Sequence, residues 1–327
     1  MTTLQKGTLV WVALVLATIF VNTFLAQPFG PSALGAIFEP YLVLTALVAG
    51  IVVFRAPHWA ARVLVLAFIA VALTRYVPAW TSSPPESGAD PLRVSAWNIL
   101  AGEDAVARAL EGISASNADL IGLQELEPQV AAALTREATA FEFRGLTSVS
   151  TMSDVGLLSR HPILESQTMT DLSVLRAVVG PPAAEPIVVY VVHPPLGRIV
   201  YLGNVPVSVD FAVRDVAIAR LRARVEVDIA HERSVVVLGD FNTTERERAY
   251  AQLSAGLRDA HLDAGLGPGL TWRPDPLSFL PFGMLRIDYV LSTPDLVATS
   301  STVDCSLRSD HCRVDVDLTM TRRSATP

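Results

Sequence analysis

Between Lys6 and Glu39 the chain carries no charged side chain, and through residue 80 its only fixed charges are Lys6, Glu39, Arg55, Arg62 and Arg75. A helix needs about 20 apolar residues to cross a bilayer, and its backbone satisfies its own polar groups there. The stretch from Leu9 to Ala26 meets that length. A second, from about Leu34 to Phe54, is also long enough but holds Glu39-Pro40 near its start, where an acid sits at the interface or faces a neighbouring helix. A third has twelve uncharged residues between Arg62 and Arg75 and needs both arginines to snorkel, with Trp59 and Trp80 flanking it. A secretory signal, with Lys6 as its basic start, is the rival for the first stretch. Against it, the apolar core is too long and more membrane-like sequence follows.

Basic residues favour the cytoplasmic side, which puts Lys6 and the Arg55 to Arg62 loop inside and the uncharged Gln27 to Ser32 loop outside. About three crossings of the cytoplasmic membrane then leave the remainder extracytoplasmic, with the lipid bilayer as partner and no protein partner indicated. The polar, proline-rich stretch Thr81 to Pro91 reads as a linker. The expected division is therefore 1–80 membrane region, 81–91 linker and 92–320 catalytic domain. The first ninety residues carry a net +1, so the rest carries -8 of the chain's -7. An acidic domain is a poor general binder of nucleic acid. The only cysteines, Cys305 and Cys312, read as a disulfide in an oxidising compartment or as two buried thiols.

Leu92 to Trp97 alternates as a strand, a helix follows from about Glu103 to Ser116, and Asp119 to Gln124 is the next strand. Short apolar runs at Val155 to Leu158, Ile163 to Met169, Val174 to Val179 and Ile187 to Val192 make the middle strand-rich. Asp210 to about Glu232 is a helix, with Val213, Ala217, Leu221, Val225 and Ile229 recurring every four residues. After a strand ending at Gly239, a helix is expected past Thr244 with Glu245 in its first turn. Strands near Leu285 to Leu291, Leu296 to Val303 and Arg313 to Leu318 complete an α/β domain.

Chemistry concentrates where these strands end. Gly239-Asp240-Phe241-Asn242 follows Val235-Val236-Val237-Leu238, and Ser309-Asp310-His311 opens the last strand. Carboxylates, an amide and an imidazole delivered together are the groups that metal-assisted attack on a phosphate ester requires. In order, Trp97-Asn98, Leu123-Gln124-Glu125, Gly156 to Pro162, His193, Asp240-Phe241-Asn242, Thr271-Trp272, Arg286 to Val290 and Ser309-Asp310-His311 resemble the endonuclease/exonuclease/phosphatase superfamily over residues 92 to 319.

The resemblance implies a four-layer α/β sandwich, two mixed β-sheets flanked by helices. Glu125 then looks like the principal Mg²⁺ ligand, with Asn98 and Asp310 completing or supporting the site and Mn²⁺ a substitute. Asp240 resembles the residue that orients or deprotonates the attacking water, and Asn242 the one that holds Asp240 and a phosphate oxygen. Asp288 and His311 resemble a paired acid and imidazole, and His193 the second imidazole, although a histidine ahead of Pro194-Pro195 also simply ends a strand. Trp272 walls the pocket or fills the core. Ser159 to Pro162 reads as a turn with Arg160 bonded locally, and His161 and His261 as loop or helix-end residues.

The expected activity is a membrane-anchored, Mg²⁺-dependent phosphoesterase, with a lipid-linked or small phosphoester ahead of DNA or RNA. The loops Pro194 to Val209 and Leu277 to Leu285 lack the arginine and lysine density of a nucleic-acid surface. They either reach toward the membrane or pack into the domain. The reading of another class is an inactive tethered binding module, which has no use for the full set Glu125, Asp240, Asn242, Asp288 and His311.

Overall fold

In the computed structural model, residues 1–24, 31–55, 57–85, 90–146, 154–182, 185–203 and 205–321 are described. Residues 25–30 and 86–89, parts of the expected outer loop and linker, lie outside them.

The N-terminal region is four helices, α1 (Thr3–Phe24), α2 (Pro31–Ile37), α3 (Glu39–Phe54) and α4 (Trp59–Tyr76), the last continued by a 3₁₀ turn to Trp80. Two segments are long and apolar enough to cross a membrane, Thr3–Phe24 and Trp59–Trp80, and only 22% and 17% of them is buried. A core helix of a water-soluble protein would hide far more of such a surface. The expected single helix from Leu34 to Phe54 is broken at Phe38. Pro40 has no N–H to continue the ladder, so α2 ends and the sixteen-residue α3 begins at Glu39.

Glu39 is fully buried rather than interfacial. Arg75 pairs with it: its Nε donates to Glu39 Oε1 at 2.8 Å and its Nη2 to Oε2 at 3.1 Å, and the Tyr76 hydroxyl donates to Oε1 at 3.2 Å. The Thr23 hydroxyl accepts from Arg75 Nη1 at 3.3 Å, so the ends of α1 and α4 meet the start of α3. The same end touches the rest of the chain. Arg246 donates to the Arg75 carbonyl at 3.2 Å and lies over the Tyr76 ring at 4.6 Å, and Tyr41 donates to the Met284 carbonyl.

From Leu92 the chain runs β1 (Leu92–Asn98), α5 (Ala105–Ser114), β2 (Leu120–Gln124), α6 (Pro128–Glu137), β3 (Phe143–Leu146), β4 (Gly156–Ser159), β5 (Ile163–Met169), β6 (Val174–Val179) and β7 (Ile187–Val192). It continues through β8 (Arg198–Leu202), β9 (Val205–Asp210), α7 (Ala212–Ala230), β10 (Ser234–Asp240), α8 (Arg248–Ser254), β11 (Arg258–Asp259), α9 (Ala260–Ala264), β12 (Asp288–Ser292), β13 (Leu296–Asp304) and β14 (Arg313–Met320). One mixed sheet has the order β13-β14-β1-β2-β4-β3 and the other β11-β12-β10-β7-β6-β5, with β8-β9 a separate hairpin.

Strand alternation builds the four layers. In β10, Val236 and Leu238 enter the core between the sheets with Val94, Leu120, Val191 and Val316. Val235 and Val237 face the other way, onto Leu221 and Val225 of α7. On the far side Trp97, Ile121 and Leu123 pack under α5 and α6 with Leu134 and Phe141. Gly122 lets Leu238 of the facing sheet pack against its backbone, since a Cβ there would lie 2.0 Å from Leu238 Cδ1.

Several local expectations need correction. The helix after Thr244 starts at Arg248, because Glu247 turns back to accept from the Thr244 backbone N–H at 2.8 Å and Glu245 stays outside it. Helix α6 and strand β3 carry short or mixed patterns that periodicity did not single out. The segment after His193 is a hairpin rather than a loop. Phe279 and Phe282 do not fill the core, being 76% and 56% exposed.

Candidate active site

Strand register assembles the site. β1 and β2 are parallel with Asn98 opposite Gln124, so Asn98 and Glu125 leave the sheet side by side. In the second sheet Asp240 lies directly opposite Asp288, and Gly239 opposite Val192, which sets His193 beside Asp240. Gly239 makes that approach possible: its φ is 135°, and a Cβ there would sit 2.3 Å from the Val192 carbonyl oxygen. Glu125 and Asn242 themselves adopt left-handed backbone, with φ of 56° and 50°. Such conformations cost about 1 kcal/mol or more in a non-glycine residue and concentrate at functional sites.

The side chains converge on Asp240, which is 1% exposed. Its Oδ2 accepts from Asn98 Nδ2 at 3.2 Å and lies 3.6 Å from Nε2 of both His193 and His311. Its Oδ1 accepts from the Asn242 backbone N–H at 2.9 Å. Asn242 therefore holds Asp240 through its main chain, while its side-chain amide donates to the Pro194 carbonyl at 2.9 Å. His311 Nδ1 is 3.0 Å from Asp288 Oδ2, and the Thr271 hydroxyl accepts from the Asp288 backbone N–H at 3.2 Å. Burial opposes a charge on the His311 ring, but Asp288 and Asp240 outweigh it and push the ring up to about 10. His193 is likewise carried up to about 9, against burial, by its bond to Asp154 and by Asp240. Burial, with Asp288 adding to it, holds the Asp240 carboxyl above the usual range despite both imidazoles.

Glu125 stands across from this cluster. Its Oε1 accepts from Asn98 Nδ2 at 3.0 Å and its Oε2 from the Ala101 backbone N–H at 2.8 Å. Asp310 Oδ2 accepts from Trp272 Nε1 at 3.3 Å, whereas its Oδ1 is buried without a partner. An orphaned carboxylate oxygen near a second carboxylate and an amide fits a hard divalent cation, which takes oxygen ligands. Another group, Asp240, Asp288 and His311, also places one ligand atom from each within 4.8 Å. Within that group His311 and Asp288 are joined by a hydrogen bond through one ring nitrogen, whereas Asp240 lies 3.6 Å from the other.

Six of the eight residues singled out in the sequence, Glu125, His193, Asp240, Asn242, Asp310 and His311, line one cavity of about 970 Å³, together with Trp272. Asn98 and Asp288 stand behind it, bonded to residues that do. Sequence reading missed Asp154, whose Oδ2 lies 2.9 Å from His193 Nδ1. An acid immediately ahead of the apolar start of β4 is a strand-end signal of the kind that marked Glu125. It also missed the braces. Arg108 donates to the Ile99 carbonyl at 2.6 Å and so fixes the turn after β1. The Ser309 hydroxyl donates to the Asn98 carbonyl at 2.8 Å and accepts from the His311 backbone N–H at 3.0 Å. Cys305 and Cys312 are bridged, and Arg273 Nη2 donates to the Cys305 and Ser309 carbonyls at 3.1 Å, closing the loop that carries Asp310 and His311.

Solved structures share this fold. The endonuclease/exonuclease/phosphatase from Bacteroides vulgatus is similar with a TM-score of 0.56 and 19% identity, over 71% of this chain and 100% of that one. The 3' phosphatase NExo from Neisseria, bound to a product DNA hairpin, is similar with a TM-score of 0.57 and 18% identity, over 70% and 99%. Beta toxin from Staphylococcus aureus is similar with a TM-score of 0.51 and 14% identity, over 69% and 99%. No curated protein matches the chain. The sequence itself matches the model of the Endonuclease/Exonuclease/phosphatase family across residues 95–311, from within β1 to His311, and thus over every strand that feeds the cavity. By that match the chain belongs to the Endonuclease/Exonuclease/phosphatase family and is a metal-dependent hydrolase of phosphate ester bonds.

Proposed function

We propose that this chain is a membrane-anchored, Mg²⁺-dependent phosphoesterase whose catalytic part lies outside the cytoplasmic membrane and acts on a lipid-linked phosphate ester. Glu125, Asn98 and Asp310 would hold the ion, which supplies charge neutralisation at the phosphate and tolerates Mn²⁺. Asp240, fixed by the Asn242 backbone N–H and by Asn98, takes the proton of the attacking water as its oxygen bonds to phosphorus and the ester P–O bond breaks. His311 and His193, each oriented by an acid, present N–H donors to the phosphoryl oxygens as charge develops on them.

The observation that carries the substrate preference is the cavity's shortage of cations. Among the described residues its lining contains one arginine or lysine, Arg214, and that guanidinium is consumed by Glu247 at 2.7 Å and Asp215 at 3.0 Å. A strand of nucleic acid needs a track of cations along its backbone, whereas a single phosphate needs only the ion and the imidazoles. The membrane reading rests on the mostly exposed apolar surfaces of α1 and α4. Helices α1 and α4 both run toward the catalytic part and α3 away from it; were the shorter, sixteen-residue α3 also to cross, three crossings would put the N-terminus on the opposite side.

The test is hydrolysis by the full-length protein in lipid nanodiscs with Mg²⁺ or Mn²⁺, offered phospholipid, inositol phosphate, DNA and RNA in parallel. Phospholipid turnover abolished by chelation is expected. Robust cleavage of DNA or RNA with phospholipid untouched would make the protein a surface nuclease. Protease added outside intact cells should remove the catalytic part, and full protection would place it in the cytoplasm.

A further inference from the structure

We propose that α2 and the β8-β9 hairpin form a groove for the apolar chain of an amphiphilic phosphate ester, continuous with the catalytic cavity, and that Ile37, Phe38 and Ile199 set its chain-length preference. This deepens the lipid-linked reading of the same site and rests on it.

The cavity has two ends of different chemistry. Glu125, Asp240, His193 and His311 occupy one end. The lining also has an apolar set, Leu196, Ile199 and Val209 together with Leu34, Ile37 and Phe38 of the N-terminal helices, beside the paired Arg214 and Glu247. The helical part of this set is seated, not merely adjacent: Ala33 of α2 is buried with Val209 and Phe211, and Leu34 and Ile37 pack on that cluster. At Gly197 a Cβ would fall 2.5 Å from the Phe211 ring, so the turn into the hairpin is held tightly against the groove floor.

The outer surface of the hairpin points to the same occupant. Leu196 is 73% exposed, Tyr201 57% and Leu202 74%. A contiguous apolar surface of this kind marks a contact with protein or membrane. Here it stands beside the helices whose own apolar faces are uncovered, and it leads to a cavity with no free arginine or lysine among its described lining residues. A chain drawn from the bilayer along this surface would reach the groove without crossing water, and its ester phosphate would arrive at the polar end. Each methylene so buried would strengthen binding by at most about fourfold.

The test uses full-length protein in nanodiscs, with bis(p-nitrophenyl) phosphate as soluble substrate and n-alkyl phosphates from butyl to dodecyl as competitors. Inorganic phosphate is the chain-free control, and calorimetric binding of dodecyl phosphate is a readout independent of turnover. For the wild type, inhibition should strengthen with chain length by more than about tenfold overall. Ile37→Asn and Ile199→Asn change lining residues on two different elements, α2 and β8; each should remove most of that dependence and weaken dodecyl phosphate binding about tenfold. Turnover of the soluble ester and inhibition by inorganic phosphate should stay within about twofold, since neither variant touches the polar end. If Ile37→Asn disturbs the seat of α2, the half-exposed Ile199 position still decides. A wild type active on the soluble ester but indifferent to chain length overturns the groove while the phosphoesterase stands. Chain-dependent binding with no turnover supports the groove and instead sinks the enzymatic reading. Variants that keep the wild-type chain dependence overturn the assignment of these residues.

Discussion

Two fully buried acids, one among the N-terminal helices and one in the catalytic centre, are treated in opposite ways. Glu39 receives a two-pronged arginine and a tyrosine hydroxyl, and its charge is matched where it stands. Asp240 receives an amide, a backbone N–H and two imidazoles at 3.6 Å, and burial still holds it above the ordinary carboxylate range. Burying a charge is costly unless it is paired, so the first arrangement fixes where helices meet and the second keeps a carboxylate poised to accept a proton. The same contrast separates Asp310, with an orphaned oxygen, from Asp259, which Arg286 and Tyr250 satisfy.

The contrast should break most visibly in turnover. Asp240→Asn removes the proton acceptor without changing its shape, and activity should fall about a thousandfold, roughly 4 kcal/mol of barrier. Glu125→Gln should cost at least about a hundredfold. Because burial holds the Asp240 carboxyl above its usual range, Asp240→Asn should leave the melting temperature unchanged or raise it. A marked drop in melting temperature would mean that Asp240 holds the fold as Glu39 does.

The reverse outcome is expected at the helices. Glu39→Leu strands Arg75 against an apolar interface. Losing one partner of a buried pair costs about 3 to 5 kcal/mol, and the lower figure applies because the Arg75 side chain is 21% exposed and can reach water. Denaturation of the protein in nanodiscs should show that loss, while residual folded enzyme keeps its turnover of a soluble ester within a few-fold.

How much of this was legible follows the same division. Strand-end carboxylates with apolar runs before them, Asp240 and Glu125, announce themselves because nothing structural needs an acid there. The four-layer order came from the resemblance, since a two-residue alternation in β10 says that both faces are covered without saying by what. Glu39's partner could not be read: Arg75 is thirty-six residues away, and which helix faces it depends on the kink at Pro40. Asp154 was overlooked although it carried the local signal. The seat of α2 on Val209 and Phe211 joins segments separated by most of the chain, and no local pattern encodes it.

The two imidazoles sharpen the comparison through pH. His193 titrates near 9 in the folded protein against about 6.5 unfolded, so its pairing contributes stability that is fully present below pH 6.5 and lost as pH rises through 9. Activity that depends on the charged ring should fall on the same alkaline limb. In Asp154→Asn the limb should move down toward 6.5, with little change in the rate at its acidic plateau. An alkaline limb that stays in place would show that Asp154 only anchors the neighbouring loop.

The smallest effect is expected at the loop that carries Asp310 and His311, where a covalent brace and a charged one coincide. The Cys305–Cys312 bridge closes a separation of seven residues, for which loop entropy gives about 2 kcal/mol. Arg273 makes its own contacts to the carbonyls of Cys305 and Ser309 and is fully buried, so it holds the loop with the bridge removed. Cys305→Ser/Cys312→Ser should therefore lower stability by about 2 kcal/mol or somewhat less and leave turnover of a soluble ester within about threefold. Arg273→Leu, with the bridge intact, should do the opposite, costing turnover more than the double cysteine variant does because Ser309 then loses its hold beside Asn98. If the cysteine pair instead lowers activity as strongly as Arg273→Leu, the covalent link and not the guanidinium positions Asp310, and the loop belongs with the structurally matched acids rather than with the poised ones.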